Sequence, residues 1–191
     1  MKKLNIISFF FSIIVFFLPI WRINFKAPQF PQSLGIYFYL YKIKEEKKND
    51  IYNIDILNHY IGIKKIKSEN FNELKIITIL FVVIMFIKLI ELSKKEKTLS
   101  LNIIELIMYN ISIAIALFCI FKYNNIFFKN IDKRAPYSSL MEESGYRPPI
   151  LGKKKIGKIE IKSYPEIVFF FVTTNFFITI IKIIKKKKNE K

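Results

Sequence analysis

The sequence predicts an all-α integral membrane protein: four transmembrane helices joined by two extracytoplasmic loops that carry short secondary structure. Three observations lead there. Apolar residues make up 52% of the 191-residue chain and Phe alone numbers 20, gathered in runs too long and uniform for amphipathic surface helices. The formal charge is +17, yet the mean hydropathy is positive, so greasy and basic blocks alternate along the chain. The densest lysine clusters flank the greasy blocks, as positive-inside topology requires.

The first span is expected over residues 4–21. Lys2 and Lys3 precede it and no small-x-small cleavage site follows, so it reads as an uncleaved signal anchor with Trp21 at the outer interface. Eighteen residues rise about 27 Å, close to the hydrocarbon thickness. The first loop, residues 22–73, opens with the extended Ala27-Pro28-Gln29-Phe30-Pro31. Residues 36–44 follow with strong β propensity from Tyr37, Phe38, Tyr39 and Tyr41. Residues 51–62 keep helical spacing at Ile51, Ile54, Leu57 and Ile61, and Gly62 suits a left-handed C-cap.

Asn70 and Glu73 resemble a capping box opening the second span, residues 74–92. Lys88 and Glu91 lie at its inner end, where lysine can reach the headgroups. A connection bearing Lys94, Lys95 and Lys97 leads to the third span, residues 101–121. The second loop, residues 122–166, is too rich in Pro and Gly for a long helix, and Lys153, Lys154 and Lys155 read as a solvated charge run. The last span, residues 167–184, offers Thr173, Thr174 and Asn175 to its neighbours and ends in Lys185, Lys186, Lys187 and Lys188. The two ends and the short connection hold ten lysines in 18 residues, against 20 basic residues in the 98 of residues 22–75 and 122–165. Both termini are therefore expected on the cytoplasmic side.

Charge alone invites a nucleic-acid partner, but 29 of the 32 basic residues are lysine and no binding motif accompanies them, so none is expected. The single cysteine, Cys119, excludes an internal disulfide and a thiolate cluster. Phosphate loops, nucleophile elbows, paired catalytic carboxylates and metalloprotease helices are all missing, which argues against an enzyme. His59 is the only histidine. Between Asn58 and Tyr60 it is a candidate metal ligand or proton carrier; the plain alternative is a solvated loop histidine. Met141 is the soft donor best placed to join it. No His-x-x-Met or Cys-x-x-Cys spacing exists, so ligation needs a partner's donors. In the third span Glu105, Asn102, Tyr109 and Asn110 read as a polar stripe, with Asn175 a partner across the bundle. Helix–helix contact is the plain reading and an ion path the sharper one.

Three phrases then carry a resemblance. They are Pro19-Ile20-Trp21-Arg22-Ile23 with Lys26-Ala27-Pro28-Gln29-Phe30-Pro31, Leu57-Asn58-His59-Tyr60-Ile61-Gly62, and Tyr146-Arg147-Pro148-Pro149-Ile150-Leu151-Gly152 with Ser163-Tyr164-Pro165. In that order the chain resembles small four-span membrane proteins encoded among the nitrous-oxide-reductase genes of denitrifying bacteria. The resemblance implies an accessory role in assembling or sustaining that reductase, at the bacterial inner membrane and facing the periplasm. It implies partners among the periplasmic or membrane proteins of a copper-reductase system, besides membrane lipids; it leaves the cofactor open, with copper the candidate metal. Asn58, His59, Tyr60, Tyr146, Arg147, Pro148 and Pro149 are the docking candidates it highlights. The family carries a methionine close before its Tyr-x-Pro-Pro segment; here Met141 stands five residues before Tyr146. The alternative is a structural subunit or transporter component of a respiratory complex. A haem enzyme is disfavoured, because one histidine cannot supply both ligands of a bis-histidine haem.

Overall fold

The structure, a computed structural model, describes residues 2–65, 71–93, 99–128, 131–136, 138–139, 149–156 and 158–189. The capping residue Asn70, the connecting Lys94, Lys95 and Lys97, and the loop candidates Met141, Tyr146, Arg147 and Pro148 lie outside these. The described helices are α1 (Lys2–Ile14), α2 (Asp50–Ile61), α3 (Glu73–Ser93), α4 (Leu99–Phe128) and α5 (Ile167–Asn189). The strands are β1 (Trp21–Lys26), β2 (Leu34–Phe38), β3 (Ile43–Glu45), β4 (Gly152–Ile156) and β5 (Ile159–Pro165). They form one antiparallel sheet of order β3-β2-β1-β5-β4, so the protein is not all-α.

Three described helices, not four, are long and apolar enough to cross a membrane: Glu73–Ser93, Leu99–Cys119 and Ile167–Lys188. The first apolar run is helical only as far as Ile14. Its 13 residues rise about 20 Å, short of a hydrocarbon core of about 30 Å. The last turn tightens, with the amides of Phe16 and Phe17 donating to carbonyls three residues back. Pro19 then supplies no N–H and disfavours a helical Leu18. Trp21 is thus the start of a strand rather than the end of a helix, and its indole donates to the Ser163 hydroxyl at 2.7 Å.

Alternation explains the central strands. Trp21, Ile23 and Phe25 alternate with Arg22, Asn24 and Lys26, and Ile159, Ile161 and Ser163 alternate with Glu160, Lys162 and Tyr164. The register sets Phe25 between Leu34 and Ile161 on the apolar face. There Ile36 of β2 and Ile54 and Leu57 of α2 close a buried cluster with Ile63 and Phe71. Each such side chain stabilises by about 1.5–3 kcal/mol when fully buried, which seats α2 on the sheet. The β-prone stretch at 36–44 is realised as β2, a turn and the start of β3. The helix expected at 51–62 is α2. Gly62 caps it at φ 81°, and the Ile63 amide donates to the Asn58 carbonyl at 2.7 Å. The lysine run at 153–155 forms the exposed edge strand β4, where lysines discourage pairing with another chain.

Below the sheet, α1 and α4 each pack against both α3 and α5. Val15, Ile77, Phe81, Ile84 and Val168 fill the sheet-side half of the bundle, joined by Leu40 from the β2–β3 turn. The Thr78 hydroxyl donates to the Leu40 carbonyl at 2.9 Å, and the Glu166 amide to that of Ile20, also at 2.9 Å. Among the described residues, large apolar side chains such as Phe86, Leu117, Phe118 and Phe177 face outward and are exposed. That greasy exterior, together with the three long helices, marks a membrane-embedded protein.

Candidate functional site

The polar face of the sheet is built around Arg22. Its cross-strand neighbours are Tyr37 on β2 and Tyr164 on β5, and the guanidinium lies 5.2 Å and 5.8 Å from their ring centres. Nε donates to Asn24 Oδ1 at 3.0 Å, the Asn24 amide donates to the Tyr164 hydroxyl at 3.4 Å, and Glu46 completes an ion pair with Arg22. Glu46 reaches Arg22 across Gly35, where a Cβ would stand 1.9 Å from its carboxylate oxygen, so only glycine leaves that path open. Burial pushes the Tyr37 phenol above its ordinary value, so it stays a neutral hydroxyl. Beside this cluster Asn24, Lys26, Pro31, Ser33, Glu160 and Lys162 line an open cleft of about 320 Å³. The register adds Lys153 and Lys155 to the same face. A hydrogen bond from Lys162 holds the exposed Glu160 carboxyl below the usual carboxylate range. The result is a mostly cationic surface with one rigid, aromatic-clamped arginine.

The expected site residues are distributed unevenly around it. His59 and Tyr60 are exposed on the last turn of α2, their rings 6.3 Å apart, whereas Asn58 is buried and serves the helix cap. Pro149 is half-buried just before β4, and the neighbouring Ile150 carbonyl accepts from the Ser163 hydroxyl at 2.8 Å. Among the described residues no hydrogen bond or ring contact joins His59 to Pro149. The two loops meet elsewhere. The Asp132 amide donates to the Gly62 carbonyl at 2.9 Å, and β1 pairs with β5 along its whole length. Among the described residues no three His, Cys, Asp or Glu side chains are grouped to hold a metal ion. The described residues therefore do not fit a copper site of their own.

A second polar centre lies inside the bundle. Lys88 and Glu105 pair at 2.6 Å with side chains 1% and 0% exposed. Lys88 therefore does not reach the headgroups as expected; Glu105 holds it inward, and it also donates to the Ser8 hydroxyl. Lys182 pairs with Glu91 at 2.6 Å and stands 3.9 Å from Glu105. The Thr179 hydroxyl donates to Glu105 at 2.7 Å, and the Asn175 amide to the Ser12 hydroxyl at 3.2 Å. Among the described residues, five buried polar atoms here have no hydrogen-bond partner: Asn5 Oδ1, Asn102 Oδ1, Glu105 Oε2, Tyr109 OH and Asn175 Oδ1. Left dry, each would cost about 1–3 kcal/mol.

Glu105, Asn102 and Tyr109 are buried together as their spacing predicts, but Asn110 is not part of the stripe. It lies five residues from Glu105, about 140° around the helix. It is exposed, and its amide donates to the Leu106 carbonyl of its own helix at 2.8 Å. Ser112 takes its place on the buried face. Of the three polar residues singled out in the last span only Asn175 is buried. Thr179 and Lys182 were missed, although their spacing of four and then three from Asn175 marks one face, as does Asn5, Ser8 and Ser12 on α1. No family model matches the chain, and no curated protein matches it in sequence.

Proposed function

We propose that this protein is an accessory membrane protein that supports the assembly or activity of nitrous-oxide reductase, presenting its outer domain to a partner in the periplasm. The sequence phrases that resemble the family support this reading. The observation that carries it is that the two long polar stretches, which hold those phrases, interlock as one sheet through β1 and β5. A rigid outer domain on a helical base suits docking. The Arg22 face and the row Lys26, Lys153, Lys155 and Lys162 complement an acidic partner surface. Copper delivery enters this reading only with donors brought by the partner.

Deleting the gene tests it: copper loading and N2O reduction fall, and normal values for both overturn the proposal. A second reading, a structural subunit or transporter component, draws on the ion pairs buried in the bundle. It expects Glu105→Gln to disrupt complex assembly while Arg22→Ala and His59→Ala leave assembly unchanged. The docking reading expects Arg22→Ala to weaken partner capture with the bundle intact.

A further inference from the structure

The helix-distal half of the sheet's polar face carries a surplus of positive charge. Lys26 of β1, Glu160 of β5 and Lys155 of β4 stand side by side in one cross-strand row. Asn24, Lys162 and Lys153 form the next row toward the helices. Among the described residues, four ammonium groups thus share Glu160, the one carboxylate that lines the cleft, and it pairs with Lys162 at 3.2 Å. Arg22 stands apart from this surplus, because Glu46 already balances it.

The spacing of the two rows indicates what they fit. Along a strand, side chains on one face recur every second residue, about 7 Å apart. An extended peptide presents its own alternate side chains at the same interval, so a segment lying along β5 meets both rows in step. Lys26, Lys153, Lys155 and Lys162 are all exposed, so their ammonium groups are open to such a segment. Lipid headgroups match the place less well. The strands β1 and β5 join their helices at Trp21 and Pro165, and the row of Lys26 and Glu160 lies five residues on, about 17 Å along the strands.

We propose that these two rows dock an extended acidic segment of a partner protein, with Asp or Glu at alternate positions. One carboxylate meets Lys153 and Lys162, and the next meets Lys155 and Lys26. Glu160 competes with that second carboxylate for the same ammonium groups. The proposal rests on the docking function above and names the chemistry of what docks. Each exposed ion pair contributes little alone, so affinity comes from several pairs made in register.

The test uses full-length protein in phosphatidylcholine nanodiscs and two fluorescent peptides of identical composition. One alternates Asp with Ala; the other carries its Asp residues in a single block. By anisotropy at low salt the alternating peptide binds several-fold more tightly. Lys155→Gln with Lys162→Gln weakens that binding several-fold and Glu160→Gln tightens it, while Lys64→Gln, exposed beyond the α2 cap, leaves it unchanged. Equal binding of the two peptides overturns the proposal, as does an affinity unmoved by the double lysine variant or by Glu160→Gln. Inorganic phosphate or glycerol phosphate that displaces the alternating peptide as well, mole for mole, as unlabelled peptide does also overturns it, in favour of a free or lipid phosphate. Binding is read on the isolated protein, so it fails or holds separately from the gene-deletion result.

Discussion

Arg22–Glu46 on the sheet and Lys88–Glu105 in the bundle are both ion pairs that tie distant segments together. The first has side chains about one-fifth exposed, the second essentially none. At the sheet, water screens the attraction, and Arg22 gains as much from the two tyrosine rings as from its carboxylate. In the bundle neither charge is exposed, so each is tolerable only because the other is there. The outer pair organises a surface; the inner pair is a condition for burying its helices together.

Breaking the inner pair is expected to have the largest effect. Glu105→Leu strands Lys88 and destabilises the bundle by about 3–5 kcal/mol, measurable as a lost denaturation transition in detergent. The double variant Lys88→Met with Glu105→Leu should recover most of that loss; if it is no better than the single one, the comparison between the pairs fails. Next is the junction of the loops. Gly62 sits at φ 81°, and a Cβ there would lie 2.6 Å from the Asp132 carbonyl oxygen. Gly62→Ala should therefore cost about 1–3 kcal/mol and expose the junction to protease, with the bundle still folded. Arg22→Ala ranks third, at about 1–2 kcal/mol, and Arg22→Lys should not restore it, because a lysine loses the planar stacking between Tyr37 and Tyr164. The smallest effect belongs to Glu160. Its folded pKa is depressed, so its contribution is present at neutral pH and disappears as pH falls through the folded value. Because the group is exposed, Lys162→Ala should leave the acid-unfolding midpoint nearly unmoved.

The parts of the fold that were legible are those encoded in local spacing. The α2 helix and its Gly62 cap follow from periodicity and glycine's access to positive φ. The grouping of Glu105 with Asn102 and Tyr109 follows from spacings of three and four. Asn110 falls outside that stripe because a residue adjacent to Tyr109 lies about 100° around the helix from it. The alternation of residues 21–26 was present but lay against a longer apolar run, which absorbed Trp21 into a supposed helix despite Pro19. Pairing of β1 with β5 had no local sign at all, since strand register between distant segments is set by tertiary packing. Lys88 turns inward rather than outward because its partner, Glu105, lies on another helix, which local spacing does not show. The outer sheet and the inner pairs were hidden for the same reason: each is made by residues far apart in the chain.

The pairing of β1 with β5 also bears on biosynthesis. Trp21 and its hydrogen-bond partner Ser163 are 142 residues apart. At synthesis rates of about 5–20 residues per second, β1 emerges roughly 7–30 seconds before the strand that completes it. During that interval its partnered edge is β2 alone, and the other edge is open to any extended segment nearby. The sheet can therefore close only after the stretch before α5 has been made and has reached β1. A chain truncated within the second loop should be left with a half-built, adhesive hairpin on the membrane surface.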